Sequence, residues 1–76
     1  MSLEKEIQEV LDNFENVSTE KILEILNQIK PQFQNQLISE YLQGKIQKVI
    51  DLPDEAQKKK QCKALTPYLD WYLQGL

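Results

Sequence analysis

Lysine side chains are the most concentrated ion-binding groups in this sequence. Three consecutive lysines precede a fourth, and two more lie in the segment before them. Lysine amines neutralise phosphates without reading a base sequence, so these residues predict, as an alternative function, a nucleic-acid accessory protein that uses Lys45, Lys48, Lys58, Lys59, Lys60 and Lys63. Consecutive side chains on a helix point in different directions, and no arginine accompanies the lysines. A solvated helix face is therefore the favoured interpretation, and nucleic acid is the less favoured partner.

Aromatic residues near the C-terminal end form the second candidate group. Tyrosine and tryptophan are enriched at binding hot spots, because each combines a large rigid apolar body with a polar group. We predict that Tyr68, Trp71 and Tyr72 bind a protein partner. The alternative is that they pin the last helix to the core, which is the favoured interpretation for Tyr72 and Leu69.

Residues for catalysis or metal binding are scarce. The chain contains no histidine and one cysteine, so it has no side chain that titrates near neutral pH and no cysteine pair for a metal. The two glycines do not form a phosphate-binding loop. Cys62 fits a small buried apolar residue better than a reactive thiol. We therefore expect a non-enzymatic protein with no cofactor and no metal.

Length and composition predict one globular domain over residues 1–76. The chain is 41% hydrophobic and 28% charged, which separates it from disordered proteins. No apolar run approaches the roughly 20 residues of a membrane span, and one cysteine makes no internal disulfide, so we expect a cytoplasmic protein. Residues 1–3 fit a short leader, and a structural domain excised from a larger chain remains an alternative.

Charge is distributed unevenly along the chain, although the net charge is only −3. The first third is acidic and the lysines dominate later. Such a distribution suits complementary helices within one bundle, or a molecule that meets its own copy head to tail. The acidic outer face of the first helix is thus a further candidate surface, formed by Glu4, Glu6, Glu9, Asp12 and Glu15.

The second predicted helix, over about residues 19–29, organises the fold. Ser18 is predicted as its N-cap, because a serine hydroxyl accepts a hydrogen bond from a free backbone N–H of the first turn. Apolar side chains then recur at the helical period and define one wide face: Ile22, Leu23, Ile25, Leu26 and Ile29. We expect this helix at the centre of an all-α, compact bundle of five or six short helices.

Prolines and a glycine divide the rest of the chain. Pro31 is predicted in the first turn of helix 3, after Lys30 has left helix 2. A helix end or kink is favoured at Gly44, because apolar residues before and after it lie on different faces of one straight helix. Pro53 is predicted to open the next helix, Thr66 to cap the last one and Gly75 to end it.

The sequence does not determine a function. The favoured expectation is a small interaction or regulatory module that binds another protein or itself through a helical face, with no membrane and no metal involved.

Overall fold

The computed structural model describes residues 2–75, which form five α-helices and two 3₁₀ turns and contain no β-strand. The helices are α1 (Leu3–Asp12), α2 (Thr19–Ile29), α3 (Gln36–Ile50), α4 (Glu55–Ala64) and α5 (Thr66–Leu73). The 3₁₀ turns, Phe14–Asn16 and Lys30–Gln32, follow α1 and α2. Leu65 alone separates α4 from α5, so the two also count as one interrupted helical segment.

Serine residues cap the first two helices. Ser2 Oγ accepts a hydrogen bond of 3.3 Å from the backbone N–H of Lys5, and Ser18 Oγ accepts one of 3.1 Å from that of Lys21. The predicted cap at Ser18 is therefore confirmed. Each cap satisfies one of the backbone donors that the first turn leaves without an intrahelical partner.

Helix α2 lies at the centre of the bundle, as its apolar face predicts. It contacts each of the other four helices. Ile25, Leu26 and Ile29 are fully buried, and Ile22 is nearly so. The radius of gyration is 11.6 Å, close to the about 11 Å expected for a folded chain of this length. The all-α bundle is therefore confirmed, with one core: Ile7, Val10, Ile22, Ile25, Leu26, Ile29, Phe33, Leu42, Ile46, Val49, Cys62, Leu65, Tyr68 and Leu69.

Pro31 does not open helix 3, and this prediction is wrong. Lys30 keeps helical angles, with φ −49° and ψ −50°, and Pro31 lies in the 3₁₀ turn that extends α2. Helix α3 begins at Gln36 instead, where Asn35 Oδ1 accepts a hydrogen bond of 2.9 Å from the N–H of Leu37. The fixed φ of proline suits a 3₁₀ turn as well as the start of an α-helix, so it does not locate α3.

Helix α3 passes through Gly44 without a break, so the prediction of a helix end or kink at this residue is wrong. Leu42, Ile46 and Val49 form one buried stripe that crosses the glycine. Leu37, Tyr41 and Ile50 on α3 are exposed, whereas Ile38 is partly buried against the core. Burial of the continuous stripe outweighs the weak preference of one glycine for a helix end.

The starts of the last two helices also differ from the predictions. Pro53 does not open α4, because Asp54 caps this helix through its side chain and α4 begins at Glu55. Thr66 is the first residue of α5 rather than its cap, and its hydroxyl donates a hydrogen bond of 2.8 Å to the carbonyl oxygen of Lys63. The helix end predicted at Gly75 is confirmed, because this residue has φ +86°, where glycine is favoured.

Candidate interaction surface

Four aromatic rings pack edge to face along one side of α5. The ring centre of Phe33 lies 6.4 Å from that of Tyr68 and 6.2 Å from that of Tyr72. Tyr68 in turn contacts Trp71, with ring centres 5.0 Å apart and ring planes at 69°. We call these four residues the aromatic cluster. Edge-to-face pairs of this kind fix ring orientations beyond what apolar burial alone provides.

The structure separates the three predicted partner-binding residues by exposure. Tyr68 belongs to the core, while Tyr72 is half-buried and its hydroxyl donates a hydrogen bond of 2.8 Å to Gln32 Oε1. Trp71 is the most exposed of the three, at 37%. Of the predicted set, Trp71 therefore offers the outward surface, and Tyr68 supports it.

Two residues of this region were missed by the sequence prediction. Phe33 precedes α3 and joins the rings of Tyr68 and Tyr72, although nothing local places it beside α5. Tyr41, on α3, is exposed, and its ionised form would repel an ionised Tyr68. Burial raises the pKa of the Tyr68 hydroxyl above its usual value, and this repulsion raises it further.

The six predicted phosphate-binding lysines do not share one hollow. The amine of Lys59 lies 4.8 Å from the centre of the Phe14 ring and donates a hydrogen bond to the carbonyl oxygen of Val17. Lys58 lines a different hollow, beside Leu23 and Ile50. The remaining four lysines are exposed. Lys45 and Lys48 line a groove between α3 and α4, whereas Lys60 and Lys63 do not.

The occupied amine of Lys59 therefore weakens the phosphate-binding alternative. Asp54 and Lys58, and likewise Glu55 and Lys59, are four positions apart at the start of α4 but form no ion pair. Within residues 2–75 the ion pair found joins Lys21 to Glu6.

The acidic outer face of α1 remains largely open to solvent. Glu4, Glu9 and Asp12 are exposed. Glu6 differs, because its Oε1 lies 2.6 Å from Nζ of Lys21 on α2. This residue of the predicted acidic surface thus helps to join two helices.

Groups suited to catalysis are few in the described part of the chain. Cys62 is fully buried, and burial raises the pKa of its thiol, which disfavours the reactive thiolate. Across residues 2–75, no three side chains of His, Cys, Asp or Glu come together in a way that could hold a metal ion.

Comparisons of the chain with protein-family models, with curated proteins and with solved structures find no match. None of the helices described for residues 2–75 is both long and apolar enough to cross a membrane.

Proposed function

We propose that this chain is a small, non-enzymatic helical module that binds another protein, or a second copy of itself, through Trp71. The observation that supports the proposal is the difference in solvent exposure between two rings that contact each other. Trp71 is 37% exposed, whereas the Tyr68 ring against which it packs is 8% exposed. Tryptophan is enriched among the residues that dominate binding hot spots.

Preorganisation of the tryptophan favours this role. Tyr68 and Tyr72 both contact the buried Phe33 ring, and the hydrogen bond from Tyr72 to Gln32 joins α5 to the second 3₁₀ turn. The base under Trp71 is therefore held by contacts outside its own helix. A side chain that is already ordered loses less conformational entropy when it binds, so more of its contact energy appears as affinity.

Exposed apolar surface on α3 offers a second contact area. Leu37 and Tyr41 are one helical turn apart and both are exposed. Large apolar side chains exposed next to one another mark interaction sites more often than isolated ones do.

The test compares Trp71→Ala with Leu73→Ala. The two residues lie on the same helix and are almost equally exposed, at 37% and 38%, so Leu73→Ala controls for loss of exposed apolar area. Self-association is measured by sedimentation equilibrium over a range of protein concentrations. Since Trp71 is the chain's single tryptophan, a concentration-dependent blue shift of its emission reports burial of this residue directly. We expect Trp71→Ala to abolish association and Leu73→Ala to preserve it.

A foreign partner is tested in the same way if the parent protein is a monomer. A photo-reactive benzoylphenylalanine placed at position 71 should give a discrete cross-linked product in the source cells, and the same group at position 73 should not. A strict monomer that gives no product at position 71, or equal products at both positions, contradicts the proposal.

A further inference from the structure

A groove between α3 and α4 lies apart from the aromatic cluster. It encloses about 250 Å³, and its lining is Lys45, Lys48, Val49, Leu52, Gln61 and Leu65. Val49 and Leu65 are core residues, so the base of the groove is apolar, and Leu52 from the α3–α4 connection is half-buried.

Both charged residues of the groove are positive. Lys45 and Lys48 are exposed, and among residues 2–75 neither amine forms an ion pair or a hydrogen bond with a protein group. This differs from Lys21, which binds Glu6, and from Lys59, which binds the carbonyl oxygen of Val17. The groove therefore presents free cations beside an apolar base, in a protein whose net charge is −3.

Spacing and size limit what can occupy the groove. Lys48 follows Lys45 by three positions along α3, so the two differ by about 4.5 Å along the helix axis. Pockets that enclose drug-sized molecules hold roughly 300–1,000 Å³. A groove of about 250 Å³ is smaller and suits one large apolar side chain, with charged groups at its edge.

We propose that this groove binds an acidic peptide segment of a partner protein. One leucine or phenylalanine of the segment lies in the groove over Val49 and Leu65, beside Leu52, and flanking aspartate or glutamate carboxylates bind the amines of Lys45 and Lys48. Helical segments present groups three or four residues apart on one face, which matches the spacing of the two lysines. A nucleic-acid strand fits less well, because two lysines neutralise few phosphates and a phosphate backbone does not fill an apolar base.

This inference does not depend on Trp71, since no residue of the aromatic cluster lines the groove. The proposed function and the groove can therefore fail separately. Trp71→Ala should leave peptide binding at the groove unchanged.

The experiment uses a fluorescein-labelled peptide of about twelve residues in which leucines alternate with glutamates at helical spacing. Its counterpart carries glutamine at every glutamate position. The protein variants are Lys45→Glu/Lys48→Glu and the control Lys60→Glu/Lys63→Glu. All four lysines are exposed and each double variant changes the net charge equally, so the comparison separates the groove from overall charge.

Fluorescence anisotropy should show binding of the glutamate peptide to the parent protein. We expect binding to weaken by about tenfold or more in Lys45→Glu/Lys48→Glu and for the glutamine peptide, with a small change in the control variant. Backbone amide shifts on titration should fall on residues 45–52 and on Gln61.

Three outcomes would overturn the inference. The first is no binding of the glutamate peptide at millimolar concentration. The second is equal weakening in both double variants, which would assign the effect to net charge. The third is binding of a labelled oligothymidylate, dependent on Lys45 and Lys48, where the peptide does not bind. Circular dichroism confirms that each variant is folded before binding is measured.

Discussion

Nζ of Lys21 lies 2.6 Å from Oε1 of Glu6, and this hydrogen-bonded ion pair joins α2 to α1. The hydrogen bond raises the pKa of Lys21 above its usual value of 10.5. The pKa values of two other groups are also raised, in their case by burial: that of Cys62 above 9.0 and that of Tyr68 above 10.0. In all three cases the folded protein holds its proton more tightly than the unfolded chain does.

These shifts predict that stability falls as the solution becomes alkaline. A group whose folded pKa is raised contributes its full stabilisation below its unfolded pKa and loses it as the pH rises through the folded pKa. The loss should therefore begin with Cys62, above about pH 9, and continue with Tyr68 and Lys21. Urea unfolding in steps between about pH 7 and pH 11 measures it. In Cys62→Ala the slope nearest pH 9 should flatten, and an unchanged slope would contradict the assignment.

Truncation of Leu26 should test the central position of α2. Leu26 is fully buried, so Leu26→Ala leaves a cavity and should cost about 2–5 kcal/mol of the free energy of unfolding. Leu37→Ala removes the same atoms from a side chain that is 60% exposed and should change stability by about 0.5 kcal/mol or less. Chemical denaturation of both variants gives the comparison. Similar losses of stability in the two variants would show that α2 does not lie at the centre of the core.

The hydroxyl of Thr19 should be dispensable. Thr19 is buried, and its Oγ1 has no hydrogen-bond partner in the described part of the chain. A buried hydroxyl without a partner costs about 1–3 kcal/mol, so Thr19→Val should raise the free energy of unfolding by about 1 kcal/mol. Thr66→Val is the contrasting variant, because the Thr66 hydroxyl donates to Lys63 and its loss should lower stability. Destabilisation of Thr19→Val would mean that this hydroxyl is hydrogen-bonded in solution.

Replacement of Gly44 by alanine should stabilise the protein. The residue lies within α3, and an added Cβ meets no atom within 4 Å. Alanine in a helix interior is favoured over glycine by about 0.5–1 kcal/mol. Gly75→Ala should show no such gain, because Gly75 has φ +86°. Thermal denaturation distinguishes the two, and a loss of stability in Gly44→Ala would favour a break in α3.

Local signals explain what the sequence predicted correctly. Ser18 caps α2 by a hydrogen bond to a residue three positions away, and Gly75 ends α5 through its own positive φ. Each feature therefore depends on a few adjacent residues. The predictions from Pro31 and Gly44 are wrong because each residue suits two local structures. Contacts between distant residues determine which structure forms, and at Gly44 this is the burial of Leu42 and Ile46 on either side of it.

The candidate surfaces depend on contacts between helices, and this limited their prediction. The periodicity of α5 gives Tyr68, Trp71 and Tyr72 as aromatic residues on adjoining faces, but the orientation of α5 against Phe33 determines which of them is exposed. The lysines of α3 likewise become part of a groove only because α4 places Gln61 beside them.

The central position of α2 also determines how the protein opens. Helix α1, which precedes α2 in the chain, and the three helices that follow it all pack on α2. None of these helices can detach without exposing part of the apolar face of α2. Amide hydrogens of α2 should therefore exchange with deuterium only when the whole chain unfolds. Helix α4 buries Cys62 alone among its ten residues and should exchange through smaller, more frequent openings. We therefore expect the slowest exchange in the central helix and faster exchange in α4, which supplies Gln61 to one wall of the groove.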